Sequence, residues 1–383
     1  MEQLNAPQGQ FNLNRFPVKP KDTLRAWDAA DEYILRHLDD EQIPTDGNIL
    51  IMNDSFGALS TVLAHAKPTM LSDSYLAEQG LKQNLKQNNI TPDQVCFINS
   101  LQTPEKPLDL VLIKIPKSHA MLEEQLHRIR PFVHTGTRII AGAMTKWVHT
   151  NTLKLFERLI GPTKTSLAVK KARLIFSDVV ELNLPENPYP LTLDLKNEQF
   201  THNHYILSNH ANVFSRESMD IGSRFFLQTL QQENISSEEA LSIVDLGCGN
   251  GVVGLIAAER FPNANLHFVD ESYMAVDSAR INFQRAFPER EARFTATDCL
   301  TALKANSTDL ILNNPPFHQQ NVVGDFIAQQ MFRESKKVLK KGGALWVVGN
   351  RHLGYHTALK RLFGNSTLVA GNKKFVVLKA VKR

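Results

Sequence analysis

The stretch "LSIVDLGCGNGVVGLIAAERF", residues 241–261, decides the fold that we predict for this chain. Its start, "LSIVDLG", is a short apolar run typical of a buried strand, and "GVVGLIAAERF" has the pattern of a following helix. Gly247, Gly249 and Gly251 form the turn between them. Glycines allow positive φ and let a ligand approach the backbone, and ligands bind beyond the carboxyl ends of such strands.

Strands and helices alternate through the rest of this half of the chain. Apolar runs predict strands at 265–270, 293–298, 308–314 and 342–350, and amphipathic segments predict helices at 274–287 and 327–341. This alternation predicts a parallel, doubly wound α/β sheet. A final strand at 374–381 is expected to form an antiparallel edge with the strand at 342–350.

The first half of the chain repeats this order in weaker form. "DLVLIKIPK", residues 109–117, matches "DLILNNPPF", residues 309–317, and "NILIMND", residues 48–54, matches the strand before the glycine turn. We interpret the repeat as an internal duplication of one α/β domain. Three prolines at 185–190 suit a linker. The predicted domains are therefore residues 1–184, a linker at 185–190, and residues 191–383, which begin with a hairpin.

Composition limits the class of protein. The 383 residues are 42% hydrophobic and 21% charged, which suits two soluble domains. The longest apolar runs are too short to span a membrane, and the polar start predicts no secretory signal. Three widely spaced cysteines and no Cys-x-x-Cys pair indicate a reducing cytoplasm and no zinc site. A net charge of +4 is compatible with a polyanionic partner without requiring one.

Acidic side chains follow the predicted strands at one edge of the second sheet. Asp245 ends the first strand, Asp270 the second and Asp298 the third. A carboxylate at Asp270 can accept both hydroxyls of a ribose, and Asp298 can reach an adenine amino group. Each acid alone is as well explained by a helix cap or a solvated loop, but the ordered set favours a nucleoside site.

The fourth strand ends in the loop "NNPPFHQQ". Two successive prolines stop regular structure and stiffen the chain. The Asn314 side-chain oxygen and the Pro315 carbonyl can accept the two hydrogens of a planar amino group, and Phe317 can stack on its ring. Such a nitrogen is a poor nucleophile because its lone pair is delocalised into the ring. Drawing the hydrogens aside and aligning the nitrogen would supply most of the catalysis. His318 follows the loop and is a candidate for contact with the substrate.

The ordered acids and the glycine turn resemble class I methyltransferases that use S-adenosylmethionine. This resemblance implies that Gly247, Gly249 and Gly251 hold the methionine part, Asp270 the ribose and Asp298 the adenine, with Asp245 in the same motif. Asn-Pro-Pro-Phe is similar to the motif of members that methylate a planar nitrogen. It implies that Asn314 also lies beside the cofactor, and that no metal is needed.

The layout of the whole chain, with "NHANVFSRESMDIGSRFF" before the glycine turn, is similar to bacterial ribosomal RNA guanine-N2 methyltransferases. The resemblance implies two tandem Rossmann-like methyltransferase domains, of which the N-terminal copy is degenerate. It implies a monomeric cytoplasmic enzyme that methylates a guanine N2 in 23S ribosomal RNA. It also implies that residues 212–224 help wall the cofactor site, with Phe214 and Ser215 as contacts.

The first copy lacks the residues that carry this chemistry. It keeps one glycine in the turn, and Lys114-Ile115-Pro116-Lys117 replaces Asn-Pro-Pro-Phe. We therefore expect the first domain to grip RNA without catalysis. Lys114, Lys117, Lys170 and Lys171 are its candidate phosphate contacts.

Four alternative functions remain open from the sequence. The same chemistry could act on adenine N6, or on a guanine of the small subunit. It could also act on a glutamine amide in a protein, although release-factor methyltransferases usually have tyrosine at the position of Phe317. The non-enzyme alternative is an RNA-binding assembly factor that keeps the fold alone.

Overall fold

A computed structural model describes residues 2–18, 23–196, 198–232, 240–316 and 322–383. The chain divides into two compact units, Met1–Pro188 and Tyr189–Arg383. We call them the first and the second unit, and each is considered by itself.

The first unit contains a hairpin and a seven-stranded sheet. Its strands are β1 (Glu2–Ala6), β2 (Gly9–Leu13), β3 (Ile49–Met52), β4 (Thr69–Ser72), β5 (Cys96–Asn99), β6 (Leu110–Lys114), β7 (Arg138–Met144), β8 (Thr163–Thr165) and β9 (Ala172–Asp178). Its α-helices are α1 (Ala29–Asp40), α2 (Ala58–Val62), α3 (Tyr75–Gln87), α4 (His119–Ile129) and α5 (Thr150–Leu159). The sheet has the order β5-β4-β3-β6-β7-β9-β8, with β9 antiparallel to both β7 and β8.

The second unit has the same arrangement. Its strands are β10 (Leu191–Asp194), β11 (Ile206–Asn209), β12 (Ser242–Leu246), β13 (Asn265–Asp270), β14 (Ala292–Ala296), β15 (Thr308–Asn313), β16 (Leu339–Asn350), β17 (Thr367–Gly371) and β18 (Phe375–Val381). Its α-helices are α6 (Ile221–Gln232), α7 (Val252–Arg260), α8 (Tyr273–Ala286), α9 (Val322–Val338) and α10 (Tyr355–Phe363). The sheet order, β14-β13-β12-β15-β16-β18-β17, matches the first unit strand for strand.

Burial on both faces explains the continuous apolar runs of the central strands. One cluster on the second sheet includes the fully buried Phe226, Phe268 and Trp346, and another includes Phe332. Burying one such phenylalanine completely stabilises the fold by about 1.5–3 kcal/mol. The two clusters hold the central strands in place.

The predicted α/β architecture is confirmed for the second unit, and β16 and β18 form the predicted antiparallel pair. Two details of the prediction were wrong. The helix predicted at 327–341 ends at Val338, because Leu339 already pairs with Thr308 in the sheet. The strand β17 and the hairpin β1–β2 were missed.

Candidate active site

The glycine turn lies between β12 and α7. Gly247, Gly249 and Gly251 have φ values of 72°, 55° and 80°, in the left-handed region that disfavours side chains. A Cβ on Gly251 would lie 2.7 Å from the Cβ of Ala279, so this glycine lets α7 pack against α8. At Gly249 no atom of the described structure lies within 4 Å of the equivalent position. The turn therefore leaves open space beside its backbone.

Asp245 lies beneath this turn. Its carboxyl Oδ2 accepts the Gly254 N–H at 2.8 Å, and the residue is 2% exposed. Burial, with a smaller contribution from the negative charge of Asp270, raises the pKa of Asp245 to about 8. The side chain thus braces the first turn of α7 from inside.

Asp270 joins the end of β13 to the glycine turn. Its Oδ2 accepts the Gly249 N–H at 3.0 Å, and its Oδ1 accepts the Ser272 N–H at 3.1 Å. A carboxylate oxygen accepts hydrogen bonds, as a ribose hydroxyl requires. The predicted ribose acid therefore lies against the most open glycine of the turn.

Asp298 follows β14 and is 8% exposed. Its Oδ1 accepts Gln330 Nε2–H at 2.9 Å, and the same amide nitrogen donates to Glu334 Oε1 at 3.0 Å. Burial raises the pKa of Glu334, and the charge of Asp298 adds to the effect. Gln330, on α9, was missed from the sequence, where it is one of several polar residues of an amphipathic helix.

Asn314 follows β15 directly, and β15 pairs with β12 so that Asn313 lies beside Leu246. Asn314 Nδ2 donates to Ser223 Oγ at 2.7 Å. Asn314 Oδ1 is shielded from solvent and has no hydrogen-bond partner among the described residues. A buried acceptor without a donor is costly, so this oxygen is suited to receive a hydrogen from a ligand. The amide and the glycine turn therefore share one edge of the sheet.

The remaining predicted residues differ in what the structure says of them. Pro315 is buried behind Asn314, whereas Phe317 and His318 lie outside the described residues. Phe214 is 65% exposed and Ser215 has a φ of 53°, both in the segment between β11 and α6. The Asn209 side chain ties this segment to β11 by donating to the Arg216 carbonyl at 2.8 Å. Contact of Phe214 and Ser215 with a cofactor stays a prediction.

The strand registers show which residues of the first unit occupy the matching positions. Ile49 pairs with Leu110 as Ile243 pairs with Leu310, which fixes the numbering between the two sheets. Counting along the paired strands gives Ile51 for Asp245, Asn53 for Gly247, Ser72 for Asp270, Leu101 for Asp298 and Lys114 for Asn314. Each acid and the amide of the second site is replaced.

Lys114 is not available to RNA phosphates, contrary to our expectation. Its Nζ lies 2.7 Å from Asp28 Oδ1 and 2.8 Å from Asp31 Oδ1, and its side chain is 13% exposed. Burial alone would lower the pKa of Lys114, but the two carboxylates outweigh it and raise the pKa. The charge is neutralised inside the unit, so the prediction for Lys114 was wrong.

The other three predicted lysines are exposed on neighbouring loops of the first unit. Lys117 and Lys146 lie over the Trp147 ring at 5.8 Å and 5.2 Å. The Thr145 N–H donates to the Lys171 carbonyl at 2.7 Å, and Lys170 pairs with Glu32 while staying 60% exposed. We call Lys117, Lys146, Lys170 and Lys171 the basic edge.

Neither a metal centre nor a membrane span is found in the part of the chain that the structure describes. Among those residues, no group of three or more His, Cys, Asp or Glu side chains is placed to hold a metal ion. No helix within the described ranges is long and apolar enough to cross a membrane.

The chain is similar to known proteins along its whole length. Residues 1–181 match the family model described as the RLMG N-terminal domain, and residues 204–379 match the methyltransferase small domain. It is 49% identical to ribosomal RNA large subunit methyltransferase G of Streptomyces griseus, over 100% of both chains. It is 48% identical to the protein of that name from Pseudoalteromonas translucida, over 97% of this chain and 96% of the other.

One solved structure has the same fold over both units. It is the T. thermophilus 16S rRNA N2 G1207 methyltransferase RsmC in complex with AdoMet and guanosine, with a TM-score of 0.78 and 20% identity. The alignment covers 100% of this chain and 98% of that one.

Proposed function

Because the chain belongs to the ribosomal RNA large subunit methyltransferase G family, we propose that it methylates the exocyclic N2 of one guanine in 23S ribosomal RNA. It is a methyltransferase that uses S-adenosylmethionine. The observation that carries the proposal is the buried Oδ1 of Asn314, which has no hydrogen-bond partner in the described part of the chain and lies at the same sheet edge as the glycine turn. An acceptor placed there suits an amino group.

The residues at this edge fit S-adenosylmethionine. The open space at Gly249 admits a ligand against the backbone, and the Asp270 carboxylate, which would accept the ribose hydroxyls, lies beside it. Asp298, held by Gln330, would accept from the adenine amino group. Gly247 and Gly251 would shape the turn, and Asp245 would brace it from below. When bound, the cofactor supplies a sulfonium methyl, which is already activated for transfer.

The protein's own part in the reaction is alignment of the amino group. Asn314 Oδ1 and the Pro315 carbonyl would each accept one hydrogen of guanine N2, which turns the nitrogen lone pair toward the methyl. Phe317 would stack on the base, and His318 would contact the RNA nearby. The product amine can lose its proton to water. A paired base is shielded in its stack, so the target guanine would be extruded or lie in a loop.

We assign the catalytic domain to residues 191–383 and a degenerate copy, derived by duplication, to residues 1–184, joined by the linker 185–190. Equal side-chain contacts support a common origin. Asn84 donates to the Phe56 carbonyl at 2.8 Å as Asn282 donates to the Asn250 carbonyl at 2.9 Å. These matched contacts lie at equivalent turns, which chance similarity between two α/β units would not require.

Matched contacts at the strand starts agree with this assignment. Asp109 Oδ2 accepts the Asn48 N–H at 2.7 Å, and Asp309 Oδ2 accepts the Ser242 N–H at 2.9 Å. A hairpin also precedes the sheet in each unit.

We further propose that the protein is a monomer and that it acts in the cytoplasm, where its ribosomal substrate is found. Transfer from a sulfonium needs no metal.

The product of the reaction tests the function. The enzyme would be incubated with labelled S-adenosylmethionine and total RNA from cells that lack its gene, the 23S and 16S RNA separated, and each digested to nucleosides. We expect label in N2-methylguanosine from 23S RNA, and little label with RNA from cells that carry the gene. Label in N6-methyladenosine, in 16S RNA or only in protein would refute the proposal.

For the first unit we propose that the basic edge binds RNA phosphates. Replacing Lys117, Lys146, Lys170 and Lys171 by alanine should weaken RNA binding. The slope of log K against log salt should fall by about 0.7–0.9 for each phosphate that the variant no longer neutralises. Binding would be measured by fluorescence anisotropy over a salt series.

A matched variant separates position from net charge. Lys67, Lys86, Lys106 and Arg138 are also exposed, and they lie near the amino ends of the strands of the same sheet. Alanine at these four positions removes the same charge, so it should leave the salt slope close to the wild-type value. Equal slopes for the two quadruple variants would contradict an RNA-binding role for the basic edge.

A further inference from the structure

Ser223 contacts the amide that the proposed chemistry depends on. Its Oγ accepts a hydrogen bond from Asn314 Nδ2 at 2.7 Å, although 91 residues separate the two in the chain. Ser223 is 7% exposed, so water competes little for this bond. The Asn314 oxygen on the other side of the amide has no partner among the described residues. The nitrogen of this amide is thus anchored, whereas its oxygen has no hydrogen-bond donor among the described residues.

The first turn of α6 fixes the position of Ser223. Asp220 precedes the helix, and its Oδ2 accepts the Ser223 N–H at 2.7 Å while its carbonyl accepts the Arg224 N–H at 2.9 Å. This is the usual way in which an aspartate satisfies the free amides at a helix start. The hydroxyl is therefore presented from a rigid element.

The orientation of Asn314 matters because an amide has two unlike ends. Turned by 180° about its last bond, the group would present N–H donors where an acceptor is required. A substrate amino group would then meet donors, and its lone pair would not be directed. In the described structure the bond to Ser223 Oγ holds the amide with Nδ2 toward α6, which leaves Oδ1 as the acceptor for a substrate amino group.

The first unit has a contact at the matching place. Asp31 is the third residue after the cap Asp28, as Ser223 is the third after Asp220, and Asp31 Oδ1 lies 2.8 Å from Lys114 Nζ. Lys114 occupies the position of Asn314 in its sheet. In both units, therefore, a helix start holds the residue at the carboxyl end of the fourth parallel strand. The contact is a carboxylate where that residue is Lys114 and a hydroxyl where it is Asn314.

We propose that Ser223 is a positioning residue that holds Asn314 with Oδ1 toward the substrate amino group. The proposal rests on the proposed function, and it adds a residue from α6 to the machinery at the end of β15. It predicts that Ser223 acts on turnover through Asn314 and not on cofactor binding.

The test compares Ser223→Ala with Ser223→Thr and Thr229→Val. Loss of one hydrogen bond of the anchoring kind should lower kcat about tenfold, with the KM for RNA and the Kd for S-adenosylmethionine nearly unchanged. Ser223→Thr keeps the hydroxyl and should recover most of kcat. Thr229, on the same helix, donates to the Phe225 carbonyl at 2.8 Å, so Thr229→Val removes a buried hydroxyl that does not touch Asn314.

A double-mutant cycle separates positioning from a general structural effect. In single-turnover assays, Ser223→Ala should have little further effect once Asn314 is alanine. A kcat of Ser223→Ala equal to wild type, or a full tenfold additional loss in the Asn314→Ala background, would overturn the proposal. A wild-type enzyme that methylates no guanine would overturn the proposed function, and this role with it. If the wild type is active and Ser223→Ala has the same kcat, only the role that we propose for Ser223 would be wrong.

Discussion

Asn314→Ala is expected to lower kcat by at least about 10²-fold, the scale for removing one preorganised polar group from a reacting centre. The Kd for S-adenosylmethionine should stay within about twofold, because the glycine turn, Asp270 and Asp298 remain. The physical reason is the loss of the acceptor that orders the amino hydrogens. Rapid-quench measurement of methyl transfer to 23S RNA, with cofactor binding by calorimetry, would check both quantities.

A second asparagine of the same unit provides the matched control. Asn365 donates to the Val381 carbonyl and accepts the Val381 N–H, each at 2.8 Å, and it also donates to the Phe363 carbonyl at 3.2 Å, so its amide ties the end of α10 to β18. Asn365→Ala should cost about 1–3 kcal/mol of stability and leave kcat unchanged. If Asn314→Ala turned over as fast as this control, the catalytic role of Asn314 would be wrong.

Residues that follow a strand directly could be located from the sequence. Asp270 and Asn314 each follow an apolar run, and parallel strands place such residues at one edge of a sheet. The apolar runs in the sequence show which strand Asp270 and Asn314 each follow, and therefore at which strand end each lies. The glycine turn was predictable for the same reason, since its strand and helix are contiguous in the chain.

Residues brought in by tertiary packing could not be located in this way. Ser223 and Gln330 lie on helices whose packing against the strand ends is set by many contacts, and neither has a local pattern that marks it. Lys114 shows the same limit, because here the sequence suggested a role that a tertiary contact argues against. Its charge suggested RNA, but Asp28, 86 residues earlier, already neutralises it. The position of a residue in the sequence predicts the strand end at which it lies, but only the folded structure shows which side chains it contacts.

The hairpin β1–β2 was missed because its signal is weak. Leu4 and Leu13 are 1% exposed, but the residues around them are mostly polar and the strands are short. Side chains in α3 and directly after it hold the second strand and the residue that follows it, since the Asn12 N–H donates to Asn88 Oδ1 and the Asn14 N–H to Asn84 Oδ1, both at 2.9 Å. Tertiary contacts of this kind override a low local propensity.

Gly249→Arg is expected to weaken S-adenosylmethionine binding by at least about 10²-fold, which corresponds to about 2.7 kcal/mol. The glycine N–H bonds Asp270, and no described atom lies within 4 Å of the place where a side chain would begin. An arginine there extends into the space that we assign to the cofactor. Its guanidinium can also capture the Asp270 carboxylate that would bind the ribose. Calorimetry on the purified variant measures the loss.

The left-handed backbone at Gly249 adds a cost of its own, and Gly364→Arg isolates it. Gly364 has a φ of 79°, also has no described atom within 4 Å, and ends α10. A side chain in this conformation costs about 1–2 kcal/mol at either glycine. Both variants should therefore lose similar stability, but only Gly249→Arg should lose the cofactor. Wild-type affinity in Gly249→Arg would show that the turn does not hold S-adenosylmethionine, and equal losses in both variants would attribute the effect to the backbone alone.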